Sequence, residues 1–304
     1  MTRHTLILDG GMSRELMRVG APFRQPEWSA LALMESPSLV RQVHEEFILA
    51  GADIVTTNSY AVVPFHIGEQ RFRSDGLRLA ALAGSLAREA ADAFPEKKVQ
   101  VAGSLPPVCG SYRPEAFDPV VARGILEVLV QGMAPSIDFW LAETQSSLAE
   151  VRLVHEVLSG SSKPLWVSFT LADDTIPYSP EDSRLRSGES VADAAAFVAG
   201  IDARALLFNC SMPEVMDAAI KSAKTVLRSL DKGIPVGVYA NAFSSHDNSG
   251  AANSGLSAVR NDLDPDAYGR WACRWVESGA EIVGGCCGIG AAHIHSLAHK
   301  YLRG

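Results

Sequence analysis

Short apolar runs recur along the whole chain and alternate with longer segments of helical spacing. The runs lack the polar alternation of a strand with one wet face, which is typical of parallel strands covered on both sides. We therefore predict eight strands, at Thr5–Asp9, Asp53–Thr57, Val99–Gly103, Asp138–Ala142, Leu165–Phe169, Ala205–Asn209, Pro235–Tyr239 and Glu281–Gly284.

Between these runs, apolar residues recur at intervals of three and four, which predicts helices. The predicted helices are Ser38–Ala50, Ser74–Phe94, Asp118–Met133, Ser147–Leu158, Ser190–Ala199, Pro213–Leu230, Pro265–Ser278 and Ala291–Tyr301. Eight strand–helix units in 304 residues are typical of an α/β fold of the (β/α)8 (TIM) barrel type, as a single domain over residues 1–304. An open doubly wound sheet is the alternative, but no Gly-x-Gly-x-x-Gly turn follows the first strand.

Three long segments without periodicity follow the third, fifth and seventh strands: Leu105–Phe117, Ala172–Glu189 and Ala242–Asp264. In a (β/α)8 barrel the active site lies at the carboxyl ends of the strands. We therefore expect all three loops on the active-site face, where loops of this length are usually functional.

The composition of the chain argues against some classes of binding partner. The chain is 47% hydrophobic and 20% charged, and its formal net charge is −8 with no dense Lys/Arg stretch, which argues against a nucleic-acid partner. No apolar run approaches the roughly 20 residues of a membrane span, and no signal-peptide pattern opens the sequence. Five cysteines, an odd number with an adjacent pair, make a poor disulfide framework. We expect a protein of the reducing cytoplasm without a membrane partner.

Three of the cysteines end predicted strands, Cys210 after the sixth and Cys286 with Cys287 after the eighth. Strand ends share one rim of a barrel, so these three thiols are candidates for a common site. Cys109 and Cys273 fall in a loop and within a helix, and we expect them to be free or buried thiols outside that site.

Adjacent residues of a strand point to opposite faces, so Cys286 and Cys287 can bind one ion only where the backbone leaves the strand conformation. Gly284, Gly285 and Gly288 give the chain that freedom. Three thiolates leave one corner of a tetrahedral zinc shell open, as in catalytic zinc sites, and a thiol arriving there loses its proton. The pattern favours a zinc enzyme that activates a sulfur nucleophile for alkylation.

Other interpretations of the pair stay open. Cys286 and Cys287 could be two small buried residues beside a turn, or they could form a strained vicinal disulfide with a redox role. The third cysteine at another strand end favours the metal over both.

Several motifs, in order along most of the chain, resemble the homocysteine S-methyltransferase family, which includes betaine–homocysteine methyltransferases and the homocysteine module of cobalamin-dependent methionine synthase. The motifs are Leu8-Asp9-Gly10-Gly11, Trp28 with Glu35-Ser36-Pro37, Val40 through His44, Gly51-Ala52-Asp53, Thr56 through Tyr60, Asp138-Phe139 through Ala142-Glu143, Asn209-Cys210, and Val283 through Gly288 with His293-Ile294. The cysteine motifs are the most specific of these.

The resemblance implies a zinc-dependent transfer of a methyl group to homocysteine, giving methionine, and so a role in methionine biosynthesis. By position, Cys210, Cys286 and Cys287 would ligate Zn2+ and take part in catalysis, with the homocysteine sulfur as the fourth ligand. The residues implied in homocysteine binding are Asp9, Gly10, Gly11, Thr56, Glu143 and Asn209, with Glu143 on the amino group. Trp28 and Tyr60 would face the methyl donor, since aromatic rings attract quaternary ammonium and sulfonium groups.

The sequence departs from the family pattern on the donor side. Gly103 through Gly110 replaces a Gly-Pro-Tyr-Gly type of loop, and Ala240 stands where relatives often have proline. A chain of 304 residues leaves no room for cobalamin or folate domains, so we expect a small free donor: S-methylmethionine, another sulfonium, or a betaine. A non-catalytic zinc or thiol sensor, and a methyltransferase for a different thiol, are the alternatives.

Overall fold

Eight parallel strands form one sheet, each paired with its neighbours in chain order. A bridge between Leu8 and Ile54 joins the first strand to the second, so the sheet closes on itself. The predicted (β/α)8 barrel is confirmed in this computed structural model, which describes residues 5–244 and 259–303. The strands are β1 Leu6–Ile7, β2 Ile54–Thr56, β3 Gln100–Leu105, β4 Phe139–Gln145, β5 Leu165–Phe169, β6 Ala205–Asn209, β7 Val236–Tyr239 and β8 Ile282–Val283.

Helices surround the barrel on the outside. Within the described residues they are α1 Met12–Arg18, α2 Ser29–Glu35, α3 Pro37–Ala50, α4 Pro64–Ile67, α5 Glu69–Asp92, α6 Pro119–Met133, α7 Leu148–Val157, α8 Val191–Gly200, α9 Pro213–Ser229, α10 Pro265–Glu277 and α11 Ala291–Ser296, which continues as a π-helical turn over Leu297–Tyr301. In this part of the chain, no helix combines the length and the apolar character needed to span a bilayer.

The short helices α1, α2 and α4 are absent from the prediction. They have seven, seven and four residues, too few to display a helical period in the sequence. All three follow β1 or β2, so they build the active-site face. The predicted long loop after β7 lies in part outside the described residues, since 245–258 are among those not described.

The core has two layers. A large apolar cluster lies between the strands and the surrounding helices. A second cluster fills the inside of the barrel with side chains from or next to every strand: Leu8, Ile54, Ala102, Phe139, Leu141, Trp166, Ala205, Leu207, Tyr239 and Ile282. Cys286 packs against the top of this inner cluster, so the barrel interior forms the floor of the site.

Strand β4 runs past its predicted end at Ala142 to Gln145. Its pairing with β5 shifts register between Ala142 and Gln145, and Thr144 has a φ of 58°. The irregularity is a bulge, which re-aims the side chains beside it. Glu143, predicted at the end of the fourth strand, lies inside this bulged segment.

Candidate metal and substrate site

The sulfur atoms of Cys210, Cys286 and Cys287 lie within 4.8 Å of one another. Cys210 follows β6 and the other two follow β8, so the group spans β7 at the carboxyl rim of the barrel. The Cys210 and Cys286 sulfurs are in contact as a disulfide, with 5.7 Å between the Cα atoms, and Cys287 is free. The alternative of a Cys286–Cys287 disulfide is therefore wrong.

The backbone leaves the strand conformation around all three cysteines. Strand β8 ends at Val283, before the pair, and Gly288 has a φ of 84°. Cys210 has a φ of 51°, which residues other than glycine adopt only when their surroundings hold them there. Its amide donates to the Tyr239 carbonyl at 3.3 Å. These departures allow sulfurs from two strands to converge.

Glycines make room for the cysteine loop. A Cβ on Gly11 would lie 2.6 Å from the carbonyl oxygen of Cys286, too close for any side chain. A Cβ on Gly10 would meet the Ile289 carbonyl and lie 2.8 Å from the ring of Phe47. Close packing therefore explains why both positions are glycine, whether or not either residue contacts the substrate.

Two buried carboxylates lie beside the sulfurs. Asp9 accepts a hydrogen bond from the Thr56 amide at 2.7 Å and another from the Thr56 hydroxyl at 3.1 Å. Glu143 accepts from the hydroxyl of Ser104 and, at 3.4 Å, from that of Tyr239. The Gly285 amide donates to the backbone carbonyl of Asp9 at 3.0 Å, which joins the Asp9 backbone to the cysteine loop, and the charge of Glu143 acts on the Cys287 thiol. Predicted residues from β1, β2 and β4 therefore meet at one place.

Burial controls the protonation of these groups. It raises the pKa of Asp9 to about 8, with a further contribution from the charge of Glu143, while the bonds from Thr56 oppose the rise. Burial also raises the pKa of Glu143 to about 7, against the bonds from Ser104 and Tyr239. A cation bound next to these two carboxylates would favour their ionised forms and so lower both pKa values.

The Cys287 thiol shares this environment. Burial raises its pKa to about 11, and the charge of Glu143 adds to the rise. Once the Cys210–Cys286 disulfide is reduced, three sulfur donors within 4.8 Å fit zinc, which prefers thiolates in a tetrahedral arrangement. A divalent cation would supply the positive charge that ionised thiols need in this buried place.

The side chain of Asn209 forms hydrogen bonds with the neighbouring strands β4 and β5. Its amide oxygen accepts from the Thr144 amide at 2.9 Å and from the Ser168 hydroxyl at 2.7 Å, and its amide nitrogen donates to the Thr144 hydroxyl at 2.8 Å. These bonds fix the bulge of β4. Asn209, the last residue of β6 and the neighbour of Cys210, therefore holds Thr144, the residue after Glu143.

The two predicted donor-side aromatics lie on the loops of β1 and β2. The Tyr60 hydroxyl is 2.6 Å from that of Ser111. Burial raises the pKa of Tyr60, and the charges of Glu143 and Cys287 add to the rise. Trp28 packs edge-on against Phe23 and His66. The structure thus joins the Tyr60 hydroxyl to that of Ser111 and places Trp28 in an aromatic group on the neighbouring loops.

Sequence reasoning missed several residues here. Ser104 and Tyr239, the partners of Glu143, end β3 and β7, and a position at the end of a barrel strand was the signal that could have found them. Tyr112 and Arg186 lie on the long loops after β3 and β5, with the Arg186 guanidinium 4.8 Å from the centre of the Tyr112 ring. Loop membership alone does not single them out.

The two remaining cysteines are separate from the cluster, as predicted. Both are free: the Cys109 sulfur lies 3.8 Å from the carbonyl of Asp118, and the Cys273 sulfur 3.9 Å from that of Tyr301. Neither belongs to the metal-capable group.

Residues 6–301 match the sequence model of the family described as homocysteine S-methyltransferase. The chain belongs to this family. It is thus an enzyme of that class, and the resemblance and the enzyme prediction are both confirmed.

Named relatives agree over nearly full length. Homocysteine S-methyltransferase YbgG of Bacillus subtilis is 27% identical and aligns over 96% of this chain and 93% of its own. Selenocysteine methyltransferase of Astragalus bisulcatus is 26% identical, and the alignment covers 92% of this chain and 88% of that protein. The metallated crystal structure of the homocysteine methyltransferase MmuM from Escherichia coli superposes with a TM-score of 0.75 at 27% identity, over 98% and 96%.

Proposed function

We propose that the protein transfers a methyl group from a small sulfonium or betaine donor to the thiol of homocysteine, giving methionine. Cys210, Cys286 and Cys287 would hold a zinc ion for this reaction. Membership of the family and the metallated form of a relative at 27% identity support the metal centre. The observation that carries the proposal is the convergence of three sulfurs beside two buried carboxylates.

Homocysteine has a thiol, an ammonium and a carboxylate. Zinc held by the three cysteines would lower the pKa of the incoming thiol, so that no protein base is needed. Glu143 and Asp9 would bind the ammonium, since both are buried, acidic and beside the sulfurs. Ser104 and Tyr239 would hold the Glu143 carboxylate in place by their hydrogen bonds. These groups set the orientation of the nucleophile, which contributes to the rate.

The donor would bind on the side of Tyr60 and Trp28. A sulfonium or quaternary ammonium group is attracted to aromatic faces, by about 0.5–2 kcal/mol for each ring. The methyl group moves to the homocysteine sulfur, and the bond to the donor sulfur or nitrogen breaks with its electron pair, so the donor leaves as a neutral thioether or amine. No further reactant is required.

A second candidate is methyl transfer to a different thiol or selenol. The relative from Astragalus bisulcatus is named for selenocysteine, so acceptors differ among proteins similar to this chain. A non-catalytic zinc or thiol sensor is the remaining alternative. For each of these alternatives, the buried carboxylates of Asp9 and Glu143 favour a ligand with an ammonium group, such as an amino acid.

The test is a donor screen with reduced, zinc-loaded protein. Homocysteine is the fixed acceptor, S-methylmethionine, another sulfonium and betaine are the donors, and methionine is measured. We expect methionine from at least one donor. Removal of a residue that supports a metal ligand typically lowers activity about 10- to 100-fold. Cys287→Ser removes a proposed ligand itself, so it should lower the rate of methionine formation by at least that factor. Cys273 is a free thiol away from the cluster, so the control variant Cys273→Ser should keep the rate of the wild type.

Each other result points elsewhere. Full turnover by the metal-free protein or by Cys287→Ser would contradict the zinc mechanism. Stoichiometric zinc with no methionine from any donor would favour the sensor, and methylation of another thiol or selenol the second candidate. Protein purified under reducing conditions without zinc would favour a redox role for the Cys210–Cys286 pair.

A further inference from the structure

The turn that carries Cys210 is tied to the long loop after β5 by side-chain hydroxyls. The Ser211 hydroxyl accepts from the Leu171 amide at 2.8 Å. The Thr170 hydroxyl donates to the Cys210 carbonyl at 3.3 Å and lies 3.2 Å from the Ser211 hydroxyl. Since Cys210 has a left-handed backbone, contacts of this kind decide where its sulfur points.

An ion pair lies behind these hydroxyls. Arg186 donates from Nη2 to Asp173 Oδ1 at 2.8 Å and from Nε to the Thr170 hydroxyl at 3.2 Å. The other Asp173 oxygen accepts from the Met212 amide at 3.1 Å, two residues beyond Cys210. Thus the pair contacts the cysteine turn on both sides, through Thr170 and through Met212.

The pair is well shielded from water. The Asp173 side chain is 1% exposed and that of Arg186 is 14% exposed. Burial raises the pKa of Asp173, and the positive charge of Arg186 opposes the rise. Removing one partner of a buried ion pair leaves the other charge without compensation, so the two residues act as a unit.

Arg186 also contacts the donor side. Its guanidinium lies 4.8 Å from the centre of the Tyr112 ring. Burial raises the pKa of Tyr112, and the charge of Cys287 contributes to the rise. The same side chain therefore connects the Cys210 turn with the loop after β3.

We propose that Asp173 and Arg186 are positioning residues for the metal site, which hold the Cys210 turn so that its sulfur joins those of Cys286 and Cys287. The inference rests on the metal centre of the proposed function. The two residues act on the position of the sulfur through Thr170, Ser211 and Met212. Partners behind metal ligands typically change metal affinity by about 10- to 100-fold when they are removed.

The experiment measures zinc affinity of the reduced full-length protein by competition with a chromophoric chelator. Arg186→Leu and Asp173→Asn should each weaken zinc binding about 10- to 100-fold. The double variant should lose little more than the worse single variant, because both changes break one pair. Asp173→Asn keeps the shape of the side chain and tests the pair if Arg186→Leu does not fold.

A matched control separates positioning from general stability. Arg88 forms a half-buried ion pair with Asp138 at 2.7 Å, at the opposite end of β4. Arg88→Leu should leave zinc affinity unchanged. Cobalt(II) gives a spectroscopic signature, since thiolate-to-cobalt absorption grows with the number of bound thiolates. The Asp173 and Arg186 variants should show weaker absorption than the wild type, and Arg88→Leu should not.

Zinc affinity and cobalt spectra equal to those of the wild type in the Asp173 and Arg186 variants would overturn the inference. So would an equal loss in Arg88→Leu, which would reveal an effect of stability alone. A wild-type protein that binds no zinc would instead overturn the metal centre itself. The two failures are therefore distinguishable.

Discussion

Glu143 and Asp9 show how single residues set the chemistry of the barrel mouth. Their side-chain carboxylates accept hydrogen bonds from neutral groups, three hydroxyls and one backbone amide. Burial therefore dominates, and their pKa values rise to about 7 and about 8. A bound ammonium would reverse this effect, so the site is suited to an amino acid that brings its own charge.

The first prediction concerns Glu143→Gln in the zinc-loaded protein. Loss of the charged partner of the ammonium should raise KM for homocysteine about 10- to 100-fold, as expected for a hydrogen bond to a charged group. In the wild type, KM should fall as the pH rises through about 7, where Glu143 loses its proton. The variant should lack that part of the pH dependence.

Glu150 provides the control for this prediction. It is also a buried glutamate whose pKa is raised by burial to about 7, but its carboxylate caps α7 by accepting from the Ser146 and Ser147 amides. Glu150→Gln should leave the KM for homocysteine unchanged. An equal rise of KM in both variants would contradict the assigned role of Glu143.

At the scale of elements, the site depends on the turns and loops at the carboxyl ends of the strands. Strands β5 and β6 have the predicted bounds, because their apolar runs end at clear polar residues. The end of β4 was misjudged, since its bulge depends on Asn209 of β6, which the local sequence does not show. The short helices after β1 and β2 were missed for lack of a period.

The loop after β1 and the loop after β8 make contact at Gly11. Gly11→Ala should lower the free energy of unfolding by about 1–3 kcal/mol, because its Cβ would press on the Cys286 carbonyl. Zinc affinity should fall as well, because that carbonyl belongs to a proposed ligand. Denaturant unfolding and chelator competition measure the two effects.

Gly124→Ala is the matched control, since no heavy atom lies within 4 Å of its would-be Cβ in α6. It should stabilise the protein by about 0.5–1 kcal/mol, as alanine is the better helix former. A Gly11→Ala protein as stable as the wild type would mean that the two loops can separate at no cost.

At the scale of the whole molecule, the two ends of the described chain meet. Arg303 forms an ion pair with Asp53 and donates hydrogen bonds to the carbonyls of Thr5 and Gly51. The Asp53 carboxylate also accepts from the Ile7 amide at 2.8 Å. With the bridge between Leu8 and Ile54, these contacts join the end of the chain to the closed sheet. We propose on this basis that residues 1–304 behave as one domain.

Unfolding experiments test that proposal together with the metal. The reduced protein should unfold in a single cooperative transition, and zinc should raise its midpoint because the folded cysteine cluster should bind the ion more tightly than the unfolded chain does. At a free concentration about 1,000 times the dissociation constant, the stabilisation is about 4 kcal/mol. Cys287→Ser should unfold in one transition that zinc shifts much less. Two separate transitions would argue for two domains.

The barrel, the family and the candidate cysteines could all be predicted from the order of residues alone. Strand and helix periods are local properties, and the glycines around Cys286 and Cys287 are visible without a fold. Three contacts become visible only in the folded chain: Cys210 with Cys286, Asn209 with the β4 bulge, and Arg186 with the groups behind the Cys210 turn. These contacts join residues from different strands and loops, and local periodicity contains no information about which distant side chains the closed sheet brings together.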